Sequence, residues 1–146
     1  MRNNFEKILF SAALLAVVCL AGCAGVRVGD ADRDKLLTAS NSYNSLLRWR
    51  ELDKACINFA EKSVRGECLG RVDELKDLQI TDVRRRDVDF EFDGNNATVH
   101  TEIEYYLLPS MTVKKIQDVQ RWCYSGPQNA KAWRITTLFP LFVRPR

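Results

Sequence analysis

The sequence lacks the hallmarks of several large protein classes. Its 146 residues contain one histidine, and its formal net charge is only +3, from 22 basic and 19 acidic side chains. A single histidine excludes a histidine-rich zinc site, and so small a charge excess does not favour nucleic acid as the main partner. Five cysteines are too few for a disulfide-dense mini-protein. With 46% hydrophobic and 28% charged residues, the composition is that of one ordinary globular domain.

The sequence has one long apolar run, and this run lies near the N-terminus. Residues 8–20 are almost continuously apolar, and they follow a short polar segment in which Arg2 and Lys7 outweigh Glu6. A helix of this length spans roughly 20 Å, which is short of the ~30 Å hydrocarbon core of a bilayer. A charged segment followed by a short apolar segment is typical of a secretory signal peptide.

The apolar run ends in a more specific motif. Leu20-Ala21-Gly22-Cys23 resembles a bacterial lipobox, in which the cysteine thiol receives a diacylglyceryl group and a signal peptidase then cuts before the cysteine. The resemblance implies a signal peptide over residues 1–22, cleavage between Gly22 and Cys23, and lipidation of Cys23. The alternatives are a plain signal peptide, or a short core helix with a chance cysteine.

Acylation of Cys23 would anchor the mature protein to a lipid bilayer without a spanning helix. Stable anchoring needs two hydrophobic signals, and each buried CH₂ group of an acyl chain contributes about 0.8 kcal/mol. In Gram-negative sorting, the lipoprotein resemblance implies that Asp after the cysteine favours the inner membrane, whereas Ala24 permits export to the outer membrane. We therefore expect a lipid-anchored protein that faces the periplasm, with the outer membrane favoured.

Helical patterns come first after the predicted cleavage point. Residues 23–30 form the predicted lipidated tether, and residues 31–146 form a single predicted domain. Apolar residues then recur at helical spacing, and acidic residues precede the first of these patterns, where they favour the start of a helix. Three helices are predicted: about 31–49, 52–59 and 64–75.

Beyond Asp77 the hydrophobic period changes from helical to alternating, which predicts strands. Residues 93–96 contain Asp-Gly, a strong hairpin signal. Residues 80–83 are either an extra short strand or the bent start of the first long one. Four strands are predicted: 87–93, 97–108, 113–124 and 133–139.

Helices that precede antiparallel strands are typical of an α+β fold, in which N-terminal helices pack on one face of a curved sheet. This order resembles the nuclear transport factor 2-like (cystatin-like, SnoaL-type) superfamily, a cone of helices on a strongly bent sheet. The resemblance also extends to small bacterial lipoproteins of that superfamily with no assigned activity. It is carried by residues 43–49, by the three long strands, and by a closing pair that contains Trp122 and Trp133.

The polar faces of the predicted strands contain few candidates for chemistry. His100 shares a strand face with Glu102 and Glu104, so we interpret it as a solvated histidine near carboxylates, because a catalytic or metal role needs further partners. Alternation also directs another set of carboxylates outward, where they are solvated: Asp87, Asp89 and Glu91.

An enzymatic role has one weak clue in the sequence. In the enzymatic branches of the resembled superfamily, an Asp or His in the pocket between helix and sheet acts as a base. Asp118 and Gln117 lie in the middle of a strand, and either side chain is a candidate for the mouth of the cone. We assign no catalytic residue, metal site or cofactor.

Basic and aromatic residues suggest surfaces for binding. The densest basic run comprises Arg84, Arg85 and Arg86, and near anionic lipid each such charge contributes about 1 kcal/mol. The alternative is a solvated strand edge, where basic residues discourage aggregation. The aromatic residues either fill the core or line an apolar pocket: Trp49, Trp122, Trp133, Tyr43, Tyr105, Tyr106 and Tyr124.

Three cysteines remain after signal removal and acylation, and they lie in an oxidising compartment. Three thiols allow three single pairings. We prefer a disulfide between Cys56 and Cys68, because it closes a short link between the second and third predicted helices. Cys123 lies between two aromatic residues and is interpreted as a small buried hydrophobe.

These patterns lead to two functional hypotheses. The first is a non-enzymatic binding or scaffold module of the cell envelope, which Cys23 attaches to the lipid bilayer and which contacts an envelope protein or anionic lipid but no nucleic acid. The alternative is a small-molecule-binding or catalytic cone, with an apolar pocket between helix and sheet. A convergent carboxylate in an open pocket would favour the alternative.

Overall fold

In the part of the chain that the structure describes, three helices precede four strands, which confirms the α+β class. The computed structural model describes residues 29–91, 93–128 and 130–142. The predicted signal peptide, cleavage site and lipidated Cys23 lie outside the described residues. In this part of the chain, the sequence analysis placed the helices within two residues at their N-terminal ends and located the hairpin at residues 93–96.

The first helix covers the sheet with one apolar stripe. Leu36, Tyr43 and Leu47 are buried, and their spacing places them on one face. The helix ends where Arg50 takes a left-handed backbone conformation, with φ 59°, and the N–H of Glu51 bonds to the carbonyl of Leu46 at 2.9 Å. The helices are α1 (Asp30–Arg48), α2 (Leu52–Phe59) and α3 (Lys62–Val72), and a 3₁₀ turn (Asp73–Leu75) follows them.

The four strands form one sheet in chain order, each antiparallel to the next. The sheet is open, since β1 and β4 are its two edges. The hairpin between the first two strands turns at Gly94, whose φ is 69°, and the Asp93 carboxylate accepts the N–H of Asn95 at 2.9 Å. The strands are β1 (Leu78–Phe90), β2 (Asn96–Leu107), β3 (Lys114–Ser125) and β4 (Ala132–Ile135).

Two strand predictions were wrong in extent. The first strand begins at Leu78 rather than at residue 87, so residues 80–83 belong to the first part of this strand and are not a separate one. Its pairing with β2 shifts register twice, between Ile80 and Asp82 and between Arg85 and Asp87. Each shift inserts an extra residue that breaks the alternation and bends the strand. The last strand ends at Ile135, although Phe139 beyond it is also buried.

The core lies between the helices and one face of the sheet, called here the inner face. On β2 the buried residues alternate, from Ala97 to Leu107. The rings of Tyr43, Phe59 and Trp122 meet edge to face at centroid distances of 5.7–6.3 Å, an arrangement that stabilises aromatic pairs. Trp49 was among the residues expected in a core or pocket, but it is 74% exposed, because it lies just beyond the end of α1.

A disulfide joins the two short helices. Cys56 of α2 and Cys68 of α3 are bonded, with their Cα atoms 5.8 Å apart. This is the pair that the sequence analysis preferred. Cys123 is a free thiol that is only half-buried, so the interpretation of this residue as a small buried hydrophobe was wrong. The disulfide holds α3 to the part of the core that contains Cys56, which is itself inaccessible to solvent.

Removal of this disulfide should lower stability. The bond closes a loop with a sequence separation of 12 residues, for which the loop-entropy model gives about 3 kcal/mol. We expect the Cys56→Ala/Cys68→Ala variant to lose about that much free energy of unfolding in denaturant titrations, and reductant to lower the stability of the wild type to a similar extent. Cys123→Ser is the matched control. Equal stability with and without reductant would contradict the prediction.

Candidate functional site

A cleft of about 530 Å³ lies between the first half of α1 and the β3–β4 end of the sheet. Its volume lies within the range of small-molecule binding sites. The aromatic floor consists of Phe59, Tyr124 and Trp133, of which Trp133 is almost fully buried. The charged residues at its border are Asp34, Lys35, Lys131 and Arg134. We call this opening the aromatic cleft.

Helix and sheet geometry brings these residues together. The helical contribution comes from residues 34–42, at positions that lie on one side of α1. Tyr124 and Trp133 are register partners on β3 and β4, and their ring centroids are 5.3 Å apart. The indole N–H of Trp133 donates to the backbone carbonyl of Asp32 at 3.0 Å. This bond joins β4 to the first turn of α1.

Three cations border the aromatic cleft. The ammonium of Lys35 bonds to the Asp32 carboxylate at 3.0 Å and lies 5.8 Å from the centroid of the Tyr124 ring. Hydrogen bonding, mainly to Asp32 and to a smaller extent to Tyr124, raises the pKa of Lys35. The guanidinium of Arg134 donates to the backbone carbonyl of Asn58 and has no carboxylate partner among the described residues. Lys131 also has no ion pair with any described residue.

A second, more polar depression of about 360 Å³ shares Arg134 with the aromatic cleft. Arg65 donates from Nη2 to the carbonyl of Ala60 at 3.0 Å, whereas its shielded Nε has no described hydrogen-bond partner. Glu61 caps α3 by accepting the backbone N–H of Ser63 at 2.6 Å. Bonding to Ser63 lowers the pKa of Glu61. The depression also contains Lys62, so it is cationic apart from this one capping carboxylate. We call it the basic depression.

Asp118 lies in a buried polar network under α1. Gln120 donates from Nε2 to Asn44 Oδ1 at 2.9 Å and to Asp118 Oδ2 at 3.0 Å, and Thr101 Oγ1 is 3.5 Å from Asp118 Oδ2. Burial raises the pKa of Asp118, while the bonds from Gln120 and Thr101 oppose that shift. The other mid-strand candidate, Gln117, lies on the opposite face and donates to Glu102 at 3.1 Å.

Asp118 does not line the aromatic cleft. A catalytic cone would be favoured by a carboxylate that converges on the apolar pocket. Asp118 is therefore not such a carboxylate. Gln120 Oε1 and Trp122 Nε1 are also buried on the inner face without a described hydrogen-bond partner. The bonds that Gln120 Nε2 makes to Asn44 and Asp118 nevertheless join the helix to the sheet and help to fix the position of α1.

The histidine and the exposed carboxylates lie on the outer face of the sheet, as interpreted from alternation. His100 Nε2 is 3.2 Å from Asp89 Oδ2, and its register partner on β3 is Val119. Cys123 is four residues farther along β3, or about 13 Å, so these two residues are not adjacent. Asp87, Asp89 and Glu91 are all exposed.

The arginine run divides between the two faces of β1. Arg84 bonds to Asp82 at 2.6 Å, and Arg86 bonds to Glu102 at 2.7 Å. Arg85 instead reaches α1 and donates to Asn41 Oδ1 at 2.7 Å. Two of the three charges are therefore paired on the outer face, so the run does not form one basic patch.

Sequence patterns predict only part of the aromatic cleft. Tyr124 and Trp133 were identified as aromatic residues of a core or pocket, whereas Lys131 and Arg134 were not singled out. The available signal was local: these two cations flank Trp133 in a short segment that follows the turn at Gly126. No local pattern indicates that α1 packs beside them.

The described residues contain no group of three or more His, Cys, Asp or Glu side chains that could hold a metal ion. None of the described helices is both long enough and apolar enough to cross a membrane.

Replacement of Asp118 by asparagine should change how stability depends on pH. The folded-state pKa of Asp118 is raised from its ordinary value of 3.8, so the wild type loses stability as the pH rises from that value through the raised pKa. Asp118→Asn keeps an acceptor for Gln120 and lacks this loss. Across that pH window, the free energy of unfolding of Asp118→Asn should rise relative to that of the wild type by up to about 1.4 kcal/mol per pH unit.

Urea titrations over a series of pH values would measure this difference. Asp53→Asn, at an exposed position on α2, controls for the change of charge alone. Parallel pH profiles for the wild type and Asp118→Asn would contradict the prediction.

Comparison of the whole chain with known protein families finds no match, and comparison with curated proteins finds none either. The function proposed below is therefore argued from the sequence and the structure of this chain.

Proposed function

We propose that this protein is a lipid-anchored protein of the bacterial cell envelope, that it faces the periplasm, and that its α+β domain is a non-enzymatic binding module. The observation that carries the proposal is Leu20-Ala21-Gly22-Cys23 directly after the apolar residues 8–20. Cleavage before Cys23 would leave every described residue in the mature protein, since the described chain starts at Gly29.

The content of the aromatic cleft supports binding rather than catalysis. Its lining consists mainly of aromatic rings and cations, which provide contact area and attract anions. A general acid or base must lie within hydrogen-bond reach of the substrate, yet His100 is on the outer face and Asp118 is in the network under α1. The carboxylate that does border the cleft, Asp34, is exposed to solvent. The apolar floor favours the ligand-binding half of the alternative hypothesis over its catalytic half.

The domain also has features that support membership of the nuclear transport factor 2-like superfamily, which we propose as its fold relationship. Its helices cover one face of an antiparallel sheet, β1 is bent at two register shifts, and both Trp122 and Trp133 are buried next to the helices. In the resembled cone, the helices and the bent sheet enclose the space where a ligand binds, which corresponds here to the side of the sheet that contains the aromatic cleft.

Replacement of Cys23 by serine should abolish lipidation. A hydroxyl is a far weaker nucleophile than a thiol, so Cys23→Ser should lose metabolic labelling with palmitate and remain in its unprocessed, longer form. Cys123→Ser removes a thiol from the described domain and is the matched control, which should label like the wild type. Continued labelling of Cys23→Ser would overturn the anchor.

The residue after the predicted lipidated cysteine should control the destination of the protein. We propose the outer membrane, because Ala24 lacks the carboxylate that the lipoprotein resemblance associates with retention. Ala24→Asp should therefore move the protein from outer-membrane to inner-membrane fractions in a density gradient. Val28→Asp adds the same charge farther from Cys23 and should leave the distribution unchanged. A wild-type protein found only in the inner membrane would contradict this expectation.

A further inference from the structure

We propose that the aromatic cleft and the basic depression together bind one anionic phospholipid of the membrane to which the protein is anchored. An acyl chain would occupy the aromatic cleft, and the phosphate would lie at Arg134, the residue that the two openings share. This inference rests on the proposed lipid anchor, and it adds the chemical class of ligand that the binding module takes.

The two openings differ in polarity in the way that an amphiphile requires. The aromatic cleft places Phe59, Tyr124 and Trp133 next to small side chains such as Ala39, so it offers apolar surface to a hydrocarbon chain. The basic depression is bordered by Lys62, by Arg65 and by the turn around Gly126. A ligand with one apolar part and one polar part matches this division.

The polar part of the ligand should be an anion. Arg134 and Lys131 have no carboxylate partner among the described residues, and Glu61 is already engaged by Ser63. Arg65 borders the same depression and likewise has no carboxylate partner among the described residues. Guanidinium groups are well suited to phosphate because their planar donors match its oxygens.

On the outer face of the sheet, some of the cations have carboxylate partners on β2. There, Lys115 lies 2.8 Å from Glu104, and Arg86 lies 2.7 Å from Glu102. Carboxylates therefore neutralise these basic residues within the fold. The cations at Arg134 and Lys131 are complementary to a charge that the described domain does not supply.

The position of the anchor selects a membrane lipid over other amphiphiles. Five residues separate Cys23 from Gly29, and the chain between these two positions spans at most about 20 Å. The helical border of the cleft, residues 34–42, covers about 12 Å of the α1 axis. The cleft therefore begins about one turn after the start of α1, within reach of the bilayer that would hold Cys23.

Tryptophan quenching by brominated lipid tests the proposal on the full acylated protein. The protein, with Trp49→Phe to remove the exposed indole, is reconstituted into phosphatidylcholine vesicles. A minor fraction of the lipid, either phosphatidylglycerol or phosphatidylcholine, has brominated acyl chains that quench nearby indoles. Because Trp133 lies in the floor of the cleft, we expect brominated phosphatidylglycerol to quench the fluorescence more strongly than brominated phosphatidylcholine.

Charge variants then locate the binding site. Lys131→Gln removes an exposed cation without an ion pair among the described residues, and Arg134→Gln removes the shared guanidinium. We expect each to reduce the apparent affinity for phosphatidylglycerol roughly fivefold. Arg121→Gln removes an exposed cation on the outer face and should have no effect. Arg134→Gln also removes the bond to Asn58, and this loss can disturb folding. Lys131→Gln leaves that bond in place, so its effect on lipid binding can still be interpreted.

Each outcome distinguishes the lipid site from the anchor. Vesicle flotation with phosphatidylglycerol-selective quenching that Lys131→Gln weakens would support the proposal. Flotation with equal quenching by both lipids, or with full selectivity in both variants, would overturn the lipid site and leave the anchor intact. Selective quenching that excess inorganic phosphate abolishes would assign the site to a free anion instead. Failure to float would overturn the anchor and this inference with it.

Discussion

The packing of Tyr43 against Trp122 joins α1 to the inner face of the sheet, and the rest of the domain is arranged around that contact. Their ring centroids lie 5.7 Å apart, and Phe59 of α2 completes the cluster. Because α1, α2 and β3 meet at this cluster, the position of α1 relative to the strands is fixed. Both the buried network under α1 and the cleft beside it depend on that position, since each uses side chains of this helix.

Polar groups under α1 add specificity to this apolar contact. Asn44 of the helix bonds to Gln120 of β3, which bonds in turn to Asp118. Any sliding of the helix would leave these buried groups without partners, and an unsatisfied buried polar group is costly. The raised pKa of Asp118 is therefore explained by this covered position, and the hydrogen bonds that hold the carboxylate are part of what orients the helix.

Charge is distributed differently on the two sides of the sheet. On the outer face, basic and acidic side chains pair across neighbouring strands, as Arg86 does with Glu102. Near the β3–β4 end, Arg134 and Lys131 stand beside aromatic rings without a carboxylate partner in the described chain. Arg121 on the outer face also has no ion pair with a described residue, so the adjacent aromatic rings, rather than charge alone, distinguish the β3–β4 end of the sheet.

The sequence by itself determined the features that depend on neighbouring residues. Helical spacing, alternation and the Asp-Gly turn identified the helices, the strands and the α+β order, and the motif at Cys23 needs only adjacent residues. Only the tertiary structure decided that Arg85 reaches α1 while its neighbours face outward, that Asp118 rather than Gln117 is buried, and that Trp49 is exposed. Register shifts and helix ends control those outcomes. The cleft brings together Lys35 and Arg134, which lie far apart in the sequence. Hydrophobic periodicity is local and contains no information about which distant segments pack together.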